Sequence, residues 1–159
     1  LPFMISMGMH KALVPYAVAS ISDPGFEMLY MPASLAHNIS EGGACLGVAL
    51  KTKDENLRAT AISAGISGLF GITEPALYGV NLPLKRPMLG IMAGTAVGGI
   101  IAGVLGATAY VYGYSTILAL PIFQQTMWAM AIAIVAAIVV SALVTAALGF
   151  EDRPVKAQK

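Results

Sequence analysis

The chain has little charge and almost no cysteine. Asp, Glu, Lys and Arg make up only 11% of its 159 residues, against about a quarter in an ordinary soluble domain. The shortage is also uneven, because none of the four occurs from Pro87 to Phe150. A soluble fold of this size cannot comfortably hide such a run. The apolar content of 57% and the mean hydropathy of +0.78 point the same way, to membrane embedding. A single cysteine, Cys45, excludes an internal disulfide and argues against a thiolate metal site. Its neighbours are glycine, alanine and leucine, with no base to activate it, so it reads as a small buried side chain rather than a nucleophile.

Other absences narrow the function. The net charge of +1, with no basic patch interleaved with aromatics, gives no footprint for nucleic acid. No His-Glu-x-x-His spacing occurs, and no Gly-Lys-Ser/Thr follows the glycines near Cys45, so neither a metal site nor a phosphate loop is expected. No cofactor is implied. The apolar start at Leu1 lacks a charged n-region and a small-residue cleavage site, so it does not read as a signal peptide. It reads instead as the inside of a longer protein, of which this chain is expected to be the C-terminal part.

What is present is organised by two long apolar runs, Met88–Tyr112 and Met127–Phe150. Each is long enough to cross a hydrocarbon core of ~30 Å as a helix. The first carries glycines at four-residue spacing (Gly90, Gly94, Gly98, then Gly99 and Gly103), which make flat faces for a neighbouring helix. Lys85 and Arg86 precede the first run, and Arg153, Lys156 and Lys159 follow the second. Positive charge stays cytoplasmic and aromatics favour the interface. Both basic ends therefore face the cytoplasm, and the uncharged loop 113–126, with Pro121, Tyr114 and Phe123, faces outward. Residues 151–159 read as the start of a cytoplasmic linker.

Between Lys51–Arg58 and Lys85-Arg86 the chain leaves the basic side and returns in about 25 residues, whereas two full crossings need ~40. A re-entrant hairpin fits, with a helix over roughly Ala59–Phe70, a tip at Gly71–Pro75 and a return through Ala76–Leu82. Irregular backbone at membrane depth is tolerated only where protein or a water-filled cavity satisfies it. The tip carries Glu74 between a glycine and a proline, and an acid at such a position is a functional-site hypothesis. Before the hairpin, Pro2, Pro15, Pro24 and Pro32 divide the chain into short apolar pieces. Ser34–Leu50 reads as a helix interrupted by Asn38, Glu41 and Gly42-Gly43, in the manner of the broken helices that transporters use at their sites.

Glu74 leads the candidates for binding. A carboxylate accepts two or more hydrogen bonds, which suits the paired hydroxyls of a sugar. Thr73 adds a hydroxyl, and Gly71 allows close backbone approach. The competing reading of Glu74 is a carboxylate that caps a broken helix or pairs with a basic residue elsewhere. His10 can donate to or accept from a hydroxyl, or simply sit at the interface. Lys11 reads as a snorkelling lysine. His37 and Glu41 are four apart on one helical face, either as a polar wall or as a buried structural pair, with Asn38 beside them.

The run from Gly71 to Pro87 (GITEPALYGVNLPLKRP) closely resembles the signature of the membrane domain, enzyme IIC, of the bacterial phosphoenolpyruvate-dependent phosphotransferase system (PTS). Within that system it is most similar to the β-glucoside branch of the glucose superfamily. Gly8-Met9-His10 with Leu13-Val14-Pro15, and Ala49-Leu50-Lys51-Thr52-Lys53, fit the same pattern, and the resemblance covers about Met7 to Phe150. It implies an all-α membrane protein, with transmembrane helices plus re-entrant hairpins. Residues 1–150 would be the C-terminal, substrate-binding half of the IIC domain, and an N-terminal half would make most of a homodimer contact. The implied function is sugar permease activity in the bacterial inner membrane, multi-pass and lipid-embedded. The sugar moves by an elevator-like displacement, and its 6-hydroxyl is phosphorylated by the phosphocysteine of a separate enzyme IIB, supplied in turn by enzyme IIA.

By the same resemblance Glu74 matches the sugar-binding glutamate; from the residues themselves, Thr73, His10 and Asn38 are expected to surround it as sugar-binding groups. His10 matches the histidine near the reacting hydroxyl and is a proton-acceptor candidate. Cys45 does not resemble the IIB motif, and neither His10 nor His37 has the IIA context, so the chain would bind and move sugar without phosphorylating it alone. Lys85 and Arg86 would anchor the domain or help dock IIB. The choice among β-glucoside, sucrose, trehalose and amino sugars is open. The rival from another class is a proton-coupled secondary transporter with Glu74 as the coupling carboxylate. A membrane assembly subunit using the Gly90–Gly103 face leaves Glu74 unexplained.

Overall fold

The computed structural model describes residues 9–150 together with Met4 and Met7. The linker assigned to 151–159 lies outside them. A short 3-10 turn, Met9–Leu13, leads into α1 (Val14–Ser22). The main body consists of α2 (Tyr30–Lys51), α3 (Glu55–Leu69), a return arm, α4 (Pro87–Val104) and α5 (Met127–Leu148). The return arm is π-helical over Pro75–Asn81 and continues through the α-helical turn Leu82–Leu84.

α2 is the centre of the molecule. It packs against α3 on one side and against α4 and α5 on the other, and most of its residues are buried. The expected interruption of this helix does not occur: Tyr30–Lys51 is one continuous helix of 22 residues. Gly42 and Gly43 are contact points rather than breaks. A methyl group placed on Gly42 would lie 2.9 Å from the Gly65 carbonyl oxygen of α3, and one on Gly43 would lie 2.9 Å from the Ile138 carbonyl oxygen of α5. Only glycine lets backbones come this close, so each pair of helices gains the contact that a larger residue would prevent. Gly94 of α4 meets the Ala137 carbonyl of α5 in the same way. Of the expected glycine faces, Gly90, Gly94 and Gly98 are filled by α5 and α2, whereas Gly99 and Gly103 open outward.

Two further features differ from expectation. The first apolar run leaves the helix at Val104 and turns through Gly106 at φ +69°, well short of Tyr112. In the following loop Tyr114 is exposed, but Phe123 is wholly buried in the core beside Met31, Met130 and Ala133. The 3-10 segment Ile117–Thr126 carries it inward.

The outward faces of the last two helices are apolar. α5 exposes Ile132, Val135, Val139 and Leu143, which recur at helical spacing, and α4 exposes Ile100 and Val104. A soluble monomer rarely tolerates such stripes; hydrocarbon accepts them. Both helices are long and apolar enough to cross a membrane. The basic residues gather at one end. Lys51 Nζ donates to the Ala146 carbonyl at 2.7 Å, and Arg86 Nη1 to that of Leu148 at 3.0 Å. Arg58 Nε caps the Ala49 carbonyl at 3.0 Å. Cations thus complete the C-terminal carbonyls of α2 and α5, where the helix dipoles favour them.

Candidate functional site

The tip between α3 and the return arm follows from helix-end chemistry. α3 starts on Asp54, whose Oδ1 accepts from Asn56 N at 2.9 Å. After 15 residues, about 22 Å at the usual rise, it closes on Gly71 at φ +87°. Gly71 N donates to the Gly68 carbonyl at 3.0 Å and Ile72 N to that of Ser67 at 3.0 Å. This paired 5→2 and 6→1 closure is the Schellman motif, which needs a residue at positive φ and so selects glycine. The return arm then begins with Pro75, whose fixed φ and missing N–H suit the first position of a helix. Glycine past one helix and proline at the start of the next leave three residues, Ile72, Thr73 and Glu74, as the exposed or half-exposed tip.

Glu74 stands at the cap position of the return arm, with helical φ −58° and ψ −45°, and makes no capping hydrogen bond. Its side chain is exposed, and no partner for it exists among the described residues. The reading of Glu74 as a helix cap therefore fails. The Thr73 carbonyl accepts from Leu77 N at 2.8 Å, so the backbone of the tip is fixed although the carboxylate is free.

The tip rests on another part of the chain. A methyl group on Gly71 would lie 2.9 Å from Thr116 Cγ2 and 3.3 Å from the Ser115 carbonyl oxygen. That same carbonyl accepts from Asn38 Nδ2 of α2 at 2.8 Å, and Ser115 Oγ donates to Ser34 Oγ at 2.8 Å. Thr116 Oγ1 accepts from Leu118 N at 2.9 Å, fixing the start of the 3-10 segment. The structure thus brings Asn38 to the tip through Ser115. Thr73 and Glu74 lie on the tip itself. His10 falls in the Met9–Leu13 turn, but its side chain lies outside the described residues. Ser34, Ser115 and Thr116 escaped the sequence reading; only the Thr116–Leu118 cap spacing carries a local signal.

His37 and Glu41 resolve as a buried pair. Nε2 of His37 lies 2.9 Å from Glu41 Oε1, off the direction of a good hydrogen bond, and both side chains are almost wholly enclosed. His37 Nδ1 reaches Thr95 Oγ1 of α4 at 3.3 Å. The pair belongs to the seam between α2 and α4. Cys45 is buried too, with Sγ 3.8 Å from the Ala76 carbonyl.

Comparison with known proteins gives a family match. Residues 1–96 match the family model "Phosphotransferase system, EIIC". The chain is 35% identical over 162 residues to the PTS system arbutin-, cellobiose-, and salicin-specific EIIBC component of Escherichia coli, covering 98% of this chain and 33% of the relative. It is 36% identical over 154 residues to the PTS system beta-glucoside-specific EIIBCA component of Bacillus subtilis, covering 95% of this chain and 25% of the relative. It is 30% identical over 146 residues to the PTS system trehalose-specific EIIBC component of Escherichia coli, covering 89% of this chain and 31% of the relative. The chain thus spans a third or less of the length of these curated relatives. No solved structure matches.

Proposed function

The chain belongs to the phosphotransferase-system EIIC family, and from that premise we propose that it forms the sugar-binding part of a β-glucoside permease of the bacterial inner membrane. The permease would couple inward movement of the sugar to its phosphorylation by a phosphocysteine of enzyme IIB, which enzyme IIA recharges. The chain would then be the membrane component of a sugar phosphotransferase, multi-pass, in contact with lipid and paired with a second copy.

The observation that carries the reading is the state of Glu74. It is an exposed carboxylate on a fixed backbone tip, without the cap role its position invites. Ionised acceptors make the stronger hydrogen bonds, and two sugar hydroxyls can donate to one carboxylate. Thr73 offers a third polar contact on the same tip. A re-entrant hairpin formed by α3 and the return arm would hold this tip within the membrane, where exclusion of water strengthens each bond to the sugar. In the chemical step the sugar's 6-hydroxyl oxygen attacks phosphorus, the phosphorus–sulfur bond breaks, and the hydroxyl proton passes to a base. His10 is proposed as that base.

The test is uptake of radiolabelled salicin by the intact permease in cells, with the internal product identified, in wild type and Glu74→Gln. The reading expects sugar phosphate in wild type and binding weakened by roughly 10–100-fold in the variant. Free salicin inside the cell, with uptake abolished by an uncoupler, would sink it.

A further inference from the structure

We infer that Asn38 and Ser34 act as positioning residues, which seat the Glu74 tip through Ser115 rather than by touching the sugar. The inference rests on the reading of Glu74 as a sugar ligand. Four contacts form one continuous path. Ser34 and Asn38 are one turn apart on α2 and face the same way, so both reach one residue, Ser115. Ser34 takes its hydroxyl at 2.8 Å and Asn38 its carbonyl at 2.8 Å. With side chain and backbone both held, Ser115 has little freedom left. Its carbonyl and the Thr116 methyl then form the surface against which Gly71 rests, with no room for a methyl group between them.

Gly71 in turn fixes Glu74. The Schellman closure ties Gly71 and Ile72 to the end of α3, and Pro75 begins the return arm three residues later. A shift of the Ser115–Thr116 surface would therefore move the whole tip, since the intervening backbone has no slack. The Asn38 amide is the one tie whose donor is removed by a change of a single atom type. α2, the most enclosed helix, supplies the fixed end of the path. A binding group held by groups behind it keeps its geometry without losing entropy on each encounter with ligand.

The experiment uses the intact permease in membrane vesicles, with salicin phosphorylation as the readout. Asn38→Asp keeps the shape but removes the donor to Ser115, and it is expected to raise KM about tenfold while turnover at saturating salicin stays within about twofold. Ser34→Ala is expected to raise KM about threefold, since Ser115 keeps its Asn38 bond. In a Glu74→Gln background, Asn38→Asp is expected to add less than about twofold, because it acts through the carboxylate already removed. Peptide-resolved thiol labelling of Cys45, buried in the native fold, reports whether each variant stays folded. An unchanged KM in a folded Asn38→Asp protein overturns the inference. So does full additivity with Glu74→Gln, which would make Asn38 an independent sugar ligand. A normal KM in Glu74→Gln alone would instead remove the reading beneath it. If Asn38→Asp labels at Cys45, Ser34→Ala decides the question by the same two criteria.

Discussion

Glu27 and Glu74 both stand where a helix begins, and they are used in opposite ways. Glu27 is buried, and its carboxylate takes the first free N–H groups of α2: Leu29 N at 2.7 Å, Met31 N at 2.8 Å, and Tyr30 N between them. Its own backbone pairs with Ala109 across an isolated antiparallel bridge, at 2.8 and 2.7 Å. Leu29, at the cap position, has no side-chain acceptor, so the acid two residues upstream supplies one. Glu74 occupies a cap position itself and caps nothing. One carboxylate is committed to the fold, and the other is exposed and holds no helix end. Position at a helix start therefore does not fix how an acid is used; the partners of its two oxygens do.

The largest expected effect lies on the structural side of this comparison. Glu27→Ala leaves three N–H groups without their acceptor, those of Tyr30 and Met31 buried and that of Leu29 part-buried, which costs about 3 kcal/mol at roughly 1 kcal/mol each. Thermal unfolding in detergent should show a clear fall in midpoint, with salicin affinity unchanged in the protein that remains folded. Glu74→Gln should give the reverse pattern: salicin binding weaker by roughly 10–100-fold, as for loss of charged hydrogen bonds, with stability within about 0.5 kcal/mol of wild type. Equal losses of stability in the two variants would erase the distinction between them. The smallest effect is expected at the basic end. Lys51→Met removes one exposed tie to Ala146 and should change stability by less than about 1 kcal/mol, without altering KM. A large change in KM there would extend the proposed binding site beyond the tip.

The tip was legible because its determinants are local. Gly71 and Pro75 state where one helix stops and the next starts, and Glu74 is conspicuous between them in an apolar setting. The two apolar runs were equally plain, although the first ends earlier than its composition suggests, because Gly106 turns the chain. α2 was misread for a physical reason. Its proline, glycines and polar residues look like breaks when read in order, yet Pro32 lies near the helix start, where proline is tolerated. Gly42 and Gly43 are needed for close approach to neighbouring helices. Phe123 looked interfacial by its aromatic neighbours, and the fold draws it inside.

Membrane character, the helical runs, the turn at Gly71 and the acid beside it follow from the residues alone. These depend on composition, helix-end preferences and spacing within a few residues. Packing is what makes α2 the unbroken centre, closes His37 and Glu41 on each other in a seam, and brings Asn38 to the tip through Ser115. That last contact joins residues 77 positions apart. No local preference of either residue specifies it, because it exists only once α2 and the loop after α4 have packed against the same hairpin.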